Sequence, residues 1–382
     1  MEALAATPRP AVAQAKGLSL AEDLRIAANA RNDVLLEPIA DFELDSEGLV
    51  YVLQPKAAVI EVFSPEGRLL RRIARRGSGP GELVQPVHFG IVRDTIWVVD
   101  GGTRRMSFFR RDGKFLGTRS AVARTRGGVG SSLAEAALPG GQSVVRVTPL
   151  ADGGRTSVLR LGTAVLIDSA GSIVDTVAPL PQVPAAIRIR ANIGGAPAQL
   201  AAAQPFADKL FIAWSNVDGT LVTVSSRAPS RALGATFHLS KRRGRTTVVD
   251  RHVGVIAQPV SEEIVSATLA RLASPPRPNG MRVEIDRAEV RRQLVAPPFL
   301  PPIEEVTVAP DGKVWLAEAS TTAAVKSYRV LDAAGTPVTR VDMRGSVVSL
   351  RVGRTHAWAL ERNSDGEEFL VRLVLPPVVR GG

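Results

Sequence analysis

The chain contains no cysteine. That excludes disulfide bonds, thiolate nucleophiles and Cys-ligated zinc or iron–sulfur centres. It assigns no compartment, because reduced cytosolic proteins and disulfide-free exported proteins can both lack it. Histidine is nearly as scarce. His88, His238, His252 and His356 are the whole set, and none stands in a His-x-x-x-His or Glu-x-x-His spacing. Aromatic residues make up 4% of the chain, too few for base-stacking platforms, so specific nucleic-acid binding is not expected. No run of 18 apolar residues occurs, which argues against a transmembrane helix. Met1 to Lys16 are rich in Ala and Pro, without a basic start leading into an apolar stretch, and do not read as a signal peptide. There is no Gly-x-Ser-x-Gly nucleophile elbow.

What is present is turn chemistry and apolar alternation. Among 382 residues, 34 are Gly, 27 are Pro and 45% are hydrophobic, enough to build a core. The net charge is +11, and only seven of the 48 basic residues are Lys. An Arg excess of this kind suits an anionic partner, or simply covers a solvated surface with guanidinium groups.

A repeat organises the sequence. Residues 39–74 read as four short strands separated by turns at Ser46-Glu47-Gly48 and Pro65-Glu66-Gly67. Period-2 alternation, clearest in Val59-Ile60-Glu61-Val62-Phe63, together with Gly-bearing turns predicts antiparallel hairpins. The pattern returns over 87–119, 302–343 and 346–375, and in degenerate form over 133–178 and 205–260. Tyr51, Trp97, Val145, Phe211, Trp315 and Trp358 are aligned as second-strand positions. Separations of 46 residues from Tyr51 to Trp97, 48 from Trp97 to Val145 and 43 from Trp315 to Trp358 each match one four-stranded blade.

The expected fold is therefore all-β: a six-bladed β-propeller of four-stranded antiparallel blades. Residues 1–20 are expected to be a tail, with 21–382 forming one domain. The last unit is a strand short, so a strand near 22–28 should close the ring. A small helical insertion is expected near 261–300, with Ser261 as cap, Pro275-Pro276-Arg277-Pro278 as a break and a second helix at Asp286–Leu294.

The string Arg76-Gly77-Ser78-Gly79-Pro80-Gly81-Glu82-Leu83, preceded by Ile60-Glu61-Val62-Phe63-x-Pro-Glu-Gly-Arg-Leu-Leu, resembles the bacterial six-bladed β-propeller family, which is distantly similar to NHL-repeat propellers. The resemblance is good over 39–119 and fair over 302–375. It implies Gly77, Gly79, Pro80, Gly81 and Glu82 as a structural loop between blades. The glycines supply left-handed backbone conformations and Pro80 stiffens the crossing. An anion-cradling loop is the rival reading, but the Lys-Ser/Thr ending of a P-loop is missing. Export to the periplasm or cell envelope is implied by the family; a leader and a lipidation cysteine are not seen in this chain.

Candidate chemistry is sparse. His88 and His356, on or beside inner strands, are the candidate metal ligands, converging on the central channel as in NHL-type lyases. Asp41, Glu43, Asp94, Glu304 and Glu305 also lie near inner strands, where lactonase-type propellers hold a divalent ion with oxygen ligands. Arg71, Arg72, Arg75 and Arg76 form the densest basic cluster. Arg104, Arg105, Arg110 and Arg111 could join it in a basic rim, and Lys241-Arg242-Arg243-Gly244-Arg245 is a third group. Asn363-Ser364-Asp365-Gly366 reads as a hairpin turn. The expected function is a non-enzymatic binding or scaffold module that uses its end faces for a protein, a small ligand or an anionic partner, with no cofactor. The alternative is a metal-dependent hydrolase or lyase with a channel site.

Overall fold

The computed structural model describes residues 17–27, 39–125, 129–149, 162–182, 184–193, 196–273, 283–320, 325–363 and 365–380. Most of the expected tail, the Pro275–Pro278 break and Ser364 lie outside the described residues. Six sheets follow one another around a ring, as the repeat predicts.

Two N-terminal strands come first, β1 (Leu18–Ser19) and β2 (Ala21–Ala27). Blade 1 is β3 (Asp41–Leu44), β4 (Val50–Gln54), β5 (Val59–Phe63) and β6 (Leu69–Ile73). Blade 2 is β7 (Pro86–Val92), β8 (Thr95–Asp100), β9 (Arg105–Arg110) and β10 (Phe115–Ser120). In blade 3 the inner edge is split into β11 (Val129–Ser131) and β12 (Ala136–Ala137), followed by β13 (Ser143–Pro149), β14 (Thr163–Ile167) and β15 (Ile173–Pro179). A hairpin, β16 (Ile187–Ile193) and β17 (Ala196–Ala202), precedes blade 4. Blade 4 is β18 (Lys209–Trp214), β19 (Leu221–Ser226), β20 (Thr236–Arg243) and β21 (Thr246–Gly254). Then come helix α1 (Glu262–Leu272), β22 (Val283–Ile285) and helix α2 (Arg287–Gln293). Blade 5 is β23 (Ile303–Val308), β24 (Val314–Glu318), β25 (Val325–Leu331) and β26 (Pro337–Arg344). Blade 6 has β27 (Val347–Val352), β28 (His356–Arg362) and β29 (Glu368–Val374).

The turns follow from local chemistry. Gly48 and Gly67 sit at φ 84° and 80°, where a side chain would be strained. They close the β3–β4 hairpin at the Leu44–Val50 pair and the β5–β6 hairpin at the Phe63–Leu69 pair.

Blade 6 takes its outer strand from the other end of the chain. β2 pairs antiparallel with β29, from Ala21 opposite Val374 to Ala27 opposite Phe369. β1 pairs parallel with β26 of blade 5, Leu18 opposite Val341. Leu18 and Ser19, expected to be tail, are therefore part of a sheet, and the N-terminal segment clasps two blades. The close approach explains Gly17: a Cβ there would lie 2.2 Å from an Asp342 carboxylate oxygen.

Two other expectations need correction. Phe211 lies on β18, the inner strand of blade 4, not on a second strand; that place belongs to β19. The segment Leu210-Phe211-Ile212-Ala213-Trp214 is a continuous apolar run like those of the second strands β4, β8 and β24, which is why it reads as one. The insertion is also not purely helical. β16, β17 and β22 form a three-stranded sheet, which packs with both helices around Ile187, Ile189, Phe206, Val265, Val290 and Leu294. Helix α1 is capped by Ser261, which accepts from the Ile264 N–H. Asp286 caps α2. A hairpin donated from before blade 4 thus meets helices donated from after it, making a small α/β cap.

The core lies between blades. Tyr51, Leu53, Ile60 and Val62 of blade 1 pack on Phe89, Ile91, Ile96 and Val98 of blade 2. Similar layers join blade 2 to 3, 4 to 5, 5 to 6 and 6 to 1. Each fully buried Leu, Ile, Val or Phe in them contributes roughly 1.5–3 kcal/mol. Between blades 3 and 4 the separate cluster shrinks to Ala164, Leu180 and Leu210, with Val177, Ala178 and Ile212 half-buried beside it.

Candidate functional site

A belt of polar contacts lines the channel. Inner strands are parallel neighbours around the axis, so their main-chain groups and charged side chains face one another across blade boundaries. Arg351 on β27 donates to Asp41 at 2.8 Å and to Glu43 at 3.0 Å, both on β3. Its guanidinium also stands 5.3 Å from the Phe42 ring centre. Glu305 on β23 accepts from Lys326 (2.7 Å), the Tyr328 hydroxyl (2.8 Å) and the Leu350 N–H (2.8 Å). His88 on β7 holds the Ala134 carbonyl of blade 3 through Nε2. Arg146 joins Glu135 to the Leu210 carbonyl of blade 4 at 3.0 and 2.8 Å. Burial pushes Glu43 up to about 7 despite Arg351, with repulsion from Asp41 adding to the rise. Burial raises Asp41 and Glu304 as well.

The second region is the weakly packed junction between blades 3 and 4. Blade 4 is two-faced. Val222, Val224, Phe237, Leu239 and Val253 point toward blade 5 and are buried there. The alternate positions, Thr223, Ser225, His238, Ser240, Asp250 and His252, point the other way and line a cavity of about 840 Å³. The comparable strand β8 is apolar on both faces: Ile96 and Val98 serve one core layer, Trp97 and Val99 the next. A polar face cannot be sealed against a neighbour without losing its hydration, at a penalty of roughly 1–3 kcal/mol per unpaired group. The blades therefore stay apart where that face is polar, and they meet where Leu221 and Ile212 supply apolar contact.

Inside this cleft the His238 and His252 rings lie 5.0 Å apart, and His238 Nε2 contacts the Asp250 carboxylate. Arg242 is held by Asp175 and the Thr176 carbonyl, each at 2.7 Å. Arg227, Arg231 and Arg245 also line the cavity and are exposed. None of the three forms an ion pair or hydrogen bond among the described residues. A second opening of about 1070 Å³, lined by Glu135, Arg146, Leu180, Lys209 and Phe211, shares Leu210 with the first.

Residues 26–122 match a family described as a 6-bladed β-propeller. The match spans blade 1 and blade 2, and the six sheets in a ring show the fold of the whole. The chain folds as a six-bladed β-propeller. A protein described as exported, from Bacteroides fragilis, is similar in structure, with TM-score 0.50 and 12% identity over 94% of this chain and 95% of the other. A member of the duf4221 family from Bacteroides vulgatus has TM-score 0.49 and 12% identity over 93% and 97%. At 12% identity the first of these likenesses shows the fold alone. No curated protein matches the chain in sequence.

The propeller separates the residues that the sequence singled out. His88 is on an inner strand, but His356 begins β28, a second strand, where it faces Asp23 at 3.5 Å. The two do not converge, and the expectation that both reach the channel is corrected: the short Gly353–Thr355 turn carries His356 past the inner strand. Among the described residues no group of three or more His, Asp or Glu side chains is placed to hold a metal ion. Asp94 sits beside Arg111, away from Asp41 and Glu43.

The glycine-rich string is a wound loop between blades 1 and 2. The Glu82 carboxylate accepts the Gly79 N–H at 2.9 Å and the Arg75 guanidinium at 2.9 Å, which together hold its pKa below the usual carboxylate range. Gly77 donates to the Leu83 carbonyl at 3.0 Å, and Pro80 stands between Gly79 and Gly81, the latter at φ 77°.

The basic groups are largely occupied. Arg71 caps the Arg111 carbonyl (3.0 Å), Arg72 pairs with Glu61 (2.8 Å) and Arg76 with the Lys56 carbonyl. Arg111 lies among Asp45, Glu47 and Asp94, so this rim is mixed in charge. Arg104 and Arg105 are exposed. The run from Lys241 to Arg245 is split by strand alternation. Lys241 turns toward blade 5, donating to the Gly312 and Ala333 carbonyls, while Arg242 turns into the cleft.

Sequence reasoning missed both Arg351 and the cleft. Nothing local marks Arg351, whose partner Asp41 is 310 positions away. The cleft did leave a signal: Leu221-Val222-Thr223-Val224-Ser225 alternates where the corresponding second strand of blade 2, Ile96-Trp97-Val98-Val99, is apolar throughout, and Phe237-His238-Leu239-Ser240 alternates beside it.

Proposed function

We propose that this propeller is a non-enzymatic binding module and that the cleft between blades 3 and 4 is its ligand seat. The observation that carries this reading is the polar face of blade 4, built into the middle strands of the sheet and left open to solvent. Polar residues there give up an apolar layer that five other junctions possess, which is the expected signature of a surface kept for a partner. The channel supports the same reading. Asp41 and Glu43 already have a cationic partner in Arg351 across the blade 6–blade 1 boundary, and Glu305 has one in Lys326 within blade 5, so their charge is spent on holding the propeller together. The alternative, a metal-dependent hydrolase or lyase in the channel, would need a divalent ion to displace these pairs.

Thermal unfolding against a small-molecule library tests the proposal. A ligand for the native state raises the midpoint by mass action. Stabilising compounds should lose their effect in Ser225→Trp, which fills the cleft with an indole, and should be recovered chemically unchanged after incubation. Turnover of a recovered compound, or hits indifferent to Ser225→Trp, would refute it.

A further inference from the structure

We infer that the cleft between blades 3 and 4 binds a small polyanion, a molecule carrying two or more phosphate or carboxylate groups. The inference rests on the binding reading above and specifies the chemistry of its ligand.

Three features of the cleft converge. The first is uncompensated charge. Arg227 and Arg231, in the connection from β19 to β20, line one end of the cavity, and Arg245, in the β20–β21 turn, lines the other; none is at ion-pair distance from a carboxylate among the described residues, while Asp250 also lines the cavity and Asp175 at its wall feels the charge of Arg245. Elsewhere in this propeller a guanidinium beside a carboxylate pairs with it, as Arg242 does with Asp175 at the cleft's own wall and Arg243 with Asp218 just outside it. Together with Arg242 these guanidiniums outnumber the carboxylates Asp175 and Asp250 beside them, and the low-dielectric walls of a concavity focus the resulting positive field, which an anionic ligand relieves.

The second feature is donor type. Each guanidinium offers a planar fork of N–H groups that matches a carboxylate or phosphate in bidentate fashion. The third is the floor. Thr223, Ser225 and Ser240 present hydroxyls, and His238 and His252 present two neighbouring, mutually tilted imidazoles, so the ligand's neutral portion would meet hydrogen-bonding groups, not an apolar slot. A space of about 840 Å³ accommodates a molecule far larger than a single inorganic ion.

The arrangement also explains where the Arg excess does chemistry. In the rim of blades 1 and 2, densest in Arg by sequence, Arg72 and Arg111 are paired with Glu61, Asp45, Glu47 and Asp94. In the cleft Asp175 holds Arg242, and Arg227, Arg231 and Arg245 have no carboxylate at ion-pair distance among the described residues.

Titration calorimetry with pyrophosphate, citrate and glucose on the full chain tests the inference. Pyrophosphate or citrate should bind, glucose should not, and which of the two binds tighter separates phosphate from carboxylate recognition. Arg227→Ser/Arg231→Ser/Arg245→Ser should weaken binding by about tenfold or more for each guanidinium engaged. Arg68→Ser/Arg344→Ser/Arg354→Ser, an equal loss of charge from exposed sites elsewhere, should leave affinity within about twofold once salt is matched. Absence of anion binding at millimolar concentration overturns the inference, as does an equal loss in both triple variants. If instead a neutral compound binds and Ser225→Trp abolishes it, the cleft remains the ligand seat and only its anion chemistry is refuted. Circular dichroism confirms that both triple variants fold.

Discussion

Replacing Arg351 with Met should destabilise the propeller strongly at pH 8 and much less at pH 5. In the wild type the guanidinium lies between Asp41 and Glu43 at 2.8 and 3.0 Å, and the three side chains are only 16–23% exposed. At an effective dielectric of about 20, charges about 4 Å apart attract by roughly 4 kcal/mol. Breaking a buried pair by removing one partner costs about 3–5 kcal/mol, because the other charge is left uncompensated. With roughly 2.1 cal/mol/K of unfolding entropy per residue over 382 residues, that corresponds to a fall in Tm of about 4–6 °C.

The pH dependence follows from Glu43. Its folded pKa, about 7, lies above the ordinary 4.5, so folding favours its neutral form. That contribution is complete below about 4.5 and is lost as pH rises through about 7. Without Arg351 the two carboxylates can relieve their repulsion only by protonation, which pH 5 permits and pH 8 does not. Differential scanning calorimetry at the two pH values measures the difference. An equal fall at both would sink the reasoning, since lost packing on Phe42 is indifferent to pH. Restoration at pH 8 by adding Asp41→Asn and Glu43→Gln is the positive control.

Further predictions concern the blades. Phe237→Ala, on the face of blade 4 toward blade 5, should cost about 3–5 kcal/mol, while Ser225→Ala, on the cleft face of the same sheet, should cost under about 0.5 kcal/mol; urea unfolding of the two variants compares the faces directly. Gly77→Ala places a Cβ 2.0 Å from the Glu82 carboxylate and should cost about 1–3 kcal/mol, partly recovered when Glu82→Ala is added in the same denaturation assay. Ile26→Ala, in the strand that clasps blade 6, removes a side chain packed against the blade 6–blade 1 layer and should cost about 2–5 kcal/mol, read as a lower urea midpoint. EDTA should leave the melting temperature unchanged; a drop reversed by one divalent ion would move the channel reading ahead of the cleft.

The two regions differ in how far they could be seen in advance. The six units were legible because a blade is built from contacts close in sequence: hairpins, Gly turns and alternating strands repeat at a nearly constant interval. The channel belt was only half legible. Asp41, Glu43, Glu304 and Glu305 could be placed near inner strands, but Arg351 becomes the neighbour of Asp41 and Glu43 through ring closure alone. The β16–β17 hairpin carried a readable alternation, Ile187-Arg188-Ile189-Arg190, yet its partner β22 stands about ninety residues later, so the insertion looked merely helical. Phe211 shows the opposite failure, in which a strand was recognised and its position in the blade was not.

What the sequence determined by itself was local: where strands and turns lie, that no thiol chemistry exists, and that each unit must stack on others to bury its faces. Tertiary structure decided which charges meet. Runs that look uniformly basic, such as Lys241 to Arg245, are divided between opposite faces because successive strand residues point opposite ways. Clusters distant in the chain are joined because a closed ring brings its last blade against its first. Electrostatic partnership depends on distance in space, and in a ring of sheets that distance is set by closure and face.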